Sequence, residues 1–504
     1  MKRRTFLTTG TQAIVAGSVA GLSTPAVQAI ETPISSPSDP VASLLRGYDR
    51  EDHRRRLSNV ATCTQSIGSA MRTHLITDYL PGQACYNLGE YPSTKPWVVD
   101  DYDAGELDRM RDEGIQIIQV FDDWNDSLRL FGGDKYSAVN PEGYRKFIAL
   151  AHERGMKVLT YTSPCFIQRT DPDFKQEWSR EGDFLEVGYW NMARCSPASP
   201  GWRAFVLQKF AQILDEYGTD GIYVDGGYLA NKHPAKGAMP VAKDEIVAFE
   251  ETAEHDGAFA DLLALIYADV KRRGGILKLH VNAAEMPMAG GLKTYDYLWV
   301  GEGVAEADAL RKLTKNHTPY LVPCIDMGFA STESEDEPYL QSIPYMQFPV
   351  SMGGRIFTGE RGFVPGVSYK DDFWLKRCKD TFAQYQADPT KLHTYSAWDA
   401  VPGNPKARPT YARWLKRYKP LVEEGTMAWL EISDSTLFNG PLPNDVVASA
   451  FANRDLHLVL ANYGREAVEV KTATAYVDTT TDGKSDTWTI PARSLVILRG
   501  LEQA

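Results

Sequence analysis

The stretch Tyr217 to Tyr228, YGTDGIYVDGGY, puts an ionisable carboxylate, Asp225, directly after the β-prone triplet IYV. A second acid, Glu302, stands between glycines in VGEG, 300–303, again just after an apolar run. Two carboxyl groups facing each other across a cleft can cleave a glycosidic bond. One attacks or activates water while the other protonates the leaving oxygen. The plain alternatives are a turn aspartate and a loop glutamate. The elements that carry the two residues decide between these readings.

Those elements alternate. Strand-like runs lie near 84 (ACYNLG) and at 115–121, 156–163, 221–225, 276–282, 297–302, 319–326 and 354–360. Helix-like segments separate them at 102–114, 140–155, 199–218, 257–275, 304–317 and 339–354, with a further helix expected near 368–387. Several open on Asn, Ser or Pro and close on Gly, as capped helices do. The link 283–295 is short and rich in Met and Gly, which argues against a helix there. Strands alternating with helices build a parallel sheet. Eight units over roughly 300 residues fit a (β/α)₈ barrel. An open doubly wound sheet would want a glycine-rich phosphate loop after the first strand, where NLGEYPSTKPW stands instead. From 426 the pattern becomes period-two with turns between, as in LHLVLANYG and DTWTIPARSLVILRG. This predicts a small antiparallel β-sandwich domain over 426–504. The barrel then spans 81–425, behind a linker and N-terminal helices at 30–80. The segment 478–486 reads as an Asp-Gly hairpin turn rather than a calcium loop, since Thr480 and Thr489 fall on ligand positions.

In such a barrel, chemistry sits at the C-terminal ends of the strands. Strand two ends in Asp122, Asp123 and Trp124, and strand four in Asp225. Strand five ends in His280 and Asn282, strand six in Glu302, strand seven in Asp326, and strand eight in Glu360 and Arg361. Trp190 and Tyr228 add aromatic faces. Carboxylates and amides suit sugar hydroxyls, and aromatic faces suit a sugar's C–H face. Side chains alternate along a strand. Tyr223 and Asp225 therefore share a face, and placing Ile222 and Val224 outward turns Asp225 into the mouth. The same rule groups Leu298, Val300 and Glu302, and so directs Glu302 inward. Asp220, at the start of strand four, reads as a structural cap. His280 reads equally as a core histidine or a substrate ligand.

The run SPGWRAFVLQKFAQILDEYGTDGIYVDGG resembles the strand-four region of the α-galactosidase-like (melibiase-type) barrel glycosidases. The resemblance implies a retaining glycoside hydrolase acting on α-linked glycans. Asp225 would be the nucleophile and Glu302 the acid/base. The strand ends, read apart from the resemblance, put Asp122, Asp123, Trp124, Trp190, Tyr228, His280, Asn282, Asp326 and Arg361 at the substrate site. The sequence departs from that pattern in two places. Tyr223 stands where the group has a lysine two residues before the nucleophile, and Glu302 replaces an aspartate. A glycan-binding protein on a degenerate barrel is the alternative. A metal-dependent barrel hydrolase would want an H-x-H after strand one, and none is there. No cofactor or metal is expected.

Bulk properties agree with an oligo- or polysaccharide partner. The formal charge of −12 disfavours nucleic acid and anionic membranes, which reward clustered Lys and Arg. The start, MKRRTFLTTGTQAIVAGSVAGLSTPAVQA, has paired arginines, a mild apolar run and small residues before Ala29. It resembles a twin-arginine signal over 1–29, so a periplasmic or extracellular destination is expected. No later apolar run is long enough to span a membrane. The six cysteines include no C-x-x-C pair. Cys165 and Cys195 either staple one loop or remain buried thiols, and the chain's size favours thiols.

Overall fold

In the computed structural model, the residues described run from 49 to 501 except 90–95, 188–189, 227–248, 282–286, 302–303, 305, 318–319, 324–333, 356–379, 381–382, 384–386 and 389–407. The side chains of 180–190, 249–254 and 287 are likewise outside the description. Residues from Asp49 onward form one compact unit.

Its centre is an all-parallel sheet of eight strands. In chain order they are Gln83–Asn87, Ile117–Val120, Lys157–Thr162, Gly221–Asp225, Ile276–His280, Tyr297–Val300, Leu321–Pro323 and Ser351–Gly354. Strands one to seven pair with their sequence neighbours, and strand eight returns beside strand one. This is the curled sheet of a (β/α)₈ barrel, as the alternation predicts. The seam between strands seven and eight carries no pairing among the described residues.

The helices begin where local chemistry says they should. Asp100 caps Asp101–Asp112 in a reciprocal capping box with Asp103. Asn140 and Ser199 cap Pro141–Glu153 and Pro200–Glu216, each with proline in the first turn. A five-residue helix, Pro287–Gly291, occupies the link after strand five, where none was expected. The predicted helix near 368–387 falls mostly outside the described residues.

Strand eight lies earlier than expected. The pattern placed it at 354–360 and gave Ser351–Gly354 to the preceding helix, because two glycines read as a helix end. Instead these four residues pair with Ala84–Asn87 of strand one. The glycines serve close approach. At Gly354, φ is +91°, and a Cβ would meet the Asn87 carbonyl oxygen at 2.4 Å.

The N-terminal boundary also differs. The segment up to residue 80 reads from sequence as a linker followed by helices. The helix Arg50–Ser66, capped by Asp49, covers only the first part. Ile67–Leu75 is a strand that pairs antiparallel with Met427–Ser435. The N-terminal segment thus supplies the edge of the C-terminal sheet. A period-two signal in IGSAMRTHL is weak because the strand is only partly buried. The C-terminal strands join this one in a continuous seven-stranded sheet, rather than forming the two sheets of a sandwich. Val468–Asp478 pairs with both Lys484–Ile490 and Ser494–Gly500, which fuses the halves. The turn at 478–483 is a hairpin turn: the Asp478 carboxylate accepts from Thr480 N and Thr481 Oγ1.

The sheet is fixed to the barrel's helices by buried polar contacts. Arg493 bonds Asp308 and Glu337, and the Arg311 guanidinium lies 3.5 Å from the centre of the Tyr463 ring.

Candidate active site

Strand four ends with Asp225 opposite His280 of strand five. The two side chains meet: His280 Nδ1 lies 3.1 Å from Asp225 Oδ1. The other carboxylate oxygen accepts from the Tyr161 hydroxyl of strand three at 2.8 Å. Tyr223 Oη lies 2.9 Å from the same His280 nitrogen. A carboxylate oxygen accepts, so a bond to Asp225 takes its proton from Nδ1. Asp225 is about one-fifth exposed, so the carboxylate reaches the opening while its base is packed.

The backbone turns sharply after it. Gly226 has φ +134°, and a Cβ there would be strained and would meet Ser163 Oγ at 3.4 Å. That hydroxyl is buried with no hydrogen-bond partner among the described residues.

Below Asp225 the interior is aromatic. Trp299 stacks on His280 at 5.6 Å and packs on Tyr223 at 5.3 Å and Phe121 at 6.0 Å. Lys278 Nζ sits 4.7 Å over the Trp299 ring and bonds Gln83 Oε1. Lys278 pairs in register with Tyr223, so a lysine occupies this level from the neighbouring strand. The Trp299 indole N–H and both polar atoms of the Gln119 side chain are buried without a hydrogen-bond partner among the described residues. Orphaned polar atoms are rare in a packed interior and are costly to keep.

These contacts correct the alternation in strand six. Trp299 reaches Tyr223 of strand four, Lys278 and His280 of strand five and Phe121 just past strand two, which only the barrel interior allows. Leu298 and Val300 therefore point outward, opposite to expectation. Gly301 then leaves extended geometry, with φ +111°, and its Cβ position faces Leu310 of the outer helix. The alternation does not carry on to Glu302, which lies outside the described residues.

The remaining candidates divide. Asp122 is half-buried, close enough to act on Lys135 together with Asp225. Asp123 holds backbone: its Oδ2 accepts from Leu88 N at 2.5 Å and Gly89 N at 2.9 Å, which fixes the turn after strand one. Trp124 is a correction. It is entirely buried against Tyr144 and Tyr217, with its indole N–H bonded to the Tyr161 carbonyl, so no face is open to substrate. Its aromatic neighbours outbid the opening for its apolar surface. Trp190 lies on a strand, but its side chain is not described. Tyr228, Asn282, Asp326, Glu360 and Arg361 lie outside the described residues.

The sequence reading missed three participants. Tyr161 shares the inward face of strand three, and the alternation in VLTYT could have found it. Gln119 was visible as a polar residue inside an apolar strand. Lys135, in FGGDKYS, gave no signal, since a lysine after glycines reads as solvated. It is buried and donates to the Phe166 carbonyl. Burial pulls its ammonium down to about 8, opposed by Cys195, Cys165, Asp225 and Asp122.

The long segment after strand three is also structured. Phe166–Gln168, Ser179–Val187 and Trp190–Cys195 make a three-stranded antiparallel sheet. It lies beside the mouth, because its first strand holds Lys135.

No protein-family model matches the sequence, and no curated protein is similar to it. Solved structures are similar in fold. A noncanonic maltogenic α-amylase, AmyB, from Thermotoga neapolitana is 12% identical, with a TM-score of 0.50 over 84% of this chain and 99% of that one. An α-amylase from Geobacillus thermoleovorans, complexed with acarbose, is 11% identical, with a TM-score of 0.47 over 84% of this chain and 98% of that one. A GH36 α-galactosidase, AgaA, from Geobacillus stearothermophilus, in complex with 1-deoxygalactonojirimycin, is 10% identical, with a TM-score of 0.48 over 89% of this chain and 58% of that one. The chain therefore shares the barrel fold of AmyB, a glycoside hydrolase.

Proposed function

We propose that the chain is a retaining glycoside hydrolase acting on α-linked glycans, with Asp225 as nucleophile and Glu302 as acid/base. The observation that carries this reading is the setting of Asp225. Its carboxylate stands at the C-terminal end of strand four, partly open, and is oriented by Tyr161 and His280. A nucleophile needs this combination of fixed direction and access. Tyr161 and His280 hold the carboxylate by one oxygen each and so fix its direction. As the bond to the sugar forms, the carboxylate's charge falls, and these donors then hold the leaving carboxylate during hydrolysis of the intermediate.

Glu302 follows strand six directly, and its support is this place in the chain. The fold shared with the α-amylase AmyB agrees with a glycan substrate. Nearby polar groups, among them Asp122, suit sugar hydroxyls. Export by the twin-arginine-like start is part of the same proposal, since polymeric glycans lie outside the cell.

A panel of aryl α- and β-glycosides tests the reading. Release from an α-glycoside with retained anomeric configuration, abolished by Asp225→Ala, is the expected result. Release with inverted configuration would remove the nucleophile role, and turnover unaffected by the substitution would overturn the assignment. Glycan binding without release from any substrate would leave a binding protein instead.

A further inference from the structure

We infer that Cys165 and Cys195 form a disulfide that staples the three-stranded insertion to the end of barrel strand three, beside the Asp225 site.

In the structure both are buried thiols, not joined by a disulfide, and they stand directly opposite each other. Phe166 pairs with Arg194, Ile167 with Ala193 and Gln168 with Met192 in an antiparallel ladder. Extending that register by one residue sets Cys165 against Cys195, and Cys195 N donates to the Cys165 carbonyl at 2.7 Å. Opposed residues joined by this backbone bond have Cα atoms about 5.5 Å apart. Disulfides span about 4.4–6.8 Å between Cα atoms. Opposed side chains also leave the ladder on the same face. Both cysteines also lie near the buried Lys135 ammonium. Cys165 Sγ is further placed 3.5 Å from where a Cβ on Gly226 would stand, next to Asp225.

The other described cysteines lack this geometry. Cys63 is packed in the core of the C-terminal sheet, and burial pushes its thiol up to about 12. Cys85 is enclosed in barrel strand one. An apolar setting keeps such a thiol protonated and inert.

Both sulfurs are fully buried in the finished fold. The bond therefore forms as the chain folds, before the pair is sealed. With oxidised glutathione as oxidant, one thiolate attacks the glutathione disulfide and expels one glutathione thiolate. The second cysteine loses its proton and attacks the mixed disulfide, expelling the other. Two cysteine thiols are oxidised by two electrons, and two glutathione thiols are produced.

The bond would constrain the unfolded chain across the whole insertion. It would also fix Phe166, whose carbonyl holds Lys135 in place next to Asp225.

The test is a peptide map. The full chain is unfolded under reducing conditions and refolded with a mixture of reduced and oxidised glutathione. It is then denatured, alkylated with N-ethylmaleimide and digested with trypsin. The expected product is the peptide Val158–Arg169 joined to Cys195–Arg203, lighter by two hydrogens than the separate pair, with Cys63 and Cys85 alkylated. Thermal melts supply a second readout. Reductant should lower the midpoint of the wild type by several degrees and leave the double variant Cys165→Ala/Cys195→Ala unmoved. Alkylated Cys165 and Cys195 in the refolded protein, or either one joined to a different cysteine, would overturn the inference. Neither readout uses catalysis, so the inference stands or falls separately from the hydrolase reading.

Discussion

Barrel strand four carries an aspartate at each end, and the two are held differently. Asp220, at the N-terminal end, accepts from the Val158 backbone amide at 2.8 Å and from His152 at 2.7 Å. Asp225, at the C-terminal end, accepts from the Tyr161 hydroxyl and faces His280. Both carboxylates are about one-fifth exposed, and both have a histidine partner. Exposure and pairing therefore do not separate them. The partners do. Asp220 satisfies backbone that the sheet would otherwise leave unpaired, and its histidine is on the surface. The partners of Asp225 are side chains that set its direction, and its histidine is buried and stacked on Trp299. One aspartate holds the chain together, and the other is held in place by it.

The largest expected effect separates the two ends. Asp225→Ala should lower kcat by roughly 10³-fold or more, with little change in melting temperature. Steady-state kinetics and a thermal melt on the same preparation check this. A large loss of stability with activity preserved would reverse the comparison. Next comes the buried lysine at the Asp225 end. The folded protein binds the Lys135 proton with pKa about 8, against the ordinary 10.5. Between those values the unfolded chain holds more protons, so this group makes stability rise with pH through about 8 to 10.5. Below pH 8 it carries a constant penalty of about 3 kcal/mol. Lys135→Met should remove that slope, so that the denaturation midpoints of variant and wild type converge as pH rises toward 10. A constant gap across the range would count against the buried ammonium.

Asp220→Ala should cost about 1–3 kcal/mol, because the Val158 amide loses its partner. The melt should shift by a few degrees while kcat stays near the wild-type value. Tyr161→Phe is the mildest change and sharpens the Asp225 end. It should lower kcat by roughly 10- to 100-fold. KM should stay near the wild-type value, since the lost hydrogen bond orients the nucleophile. An unchanged kcat would show that Tyr161 does not act through Asp225.

Most of the barrel was legible because its strands are short apolar runs between turn residues. Strand eight was not, because Ser351–Gly354 has glycines where a strand usually has bulk, and close packing on Asn87 is a tertiary demand. Ile67–Leu75 was not, because its partner lies more than 350 residues away. Asp225 and His280 were legible from strand ends and alternation. Trp124 was misread because proximity to a strand end says nothing of which way an indole folds. Lys135 was invisible because only the packed insertion makes its loop an interior. The alternation failed in strand six because it was anchored on the assumption that Glu302 faced inward, and Trp299 overrules it.

In the proposed mechanism Asp225 becomes covalently linked to the sugar. The direct measurement uses an activated fluorinated glycosyl fluoride of the sugar found in the aryl glycoside panel. Such a reagent forms the glycosyl-enzyme quickly and hydrolyses it slowly. Peptide mapping after inactivation should find one sugar on the peptide containing Asp225 and none on the same peptide of Asp225→Ala. A sugar carried by any other residue, or turnover of the natural linkage with inversion and no adduct, would remove Asp225 as the nucleophile.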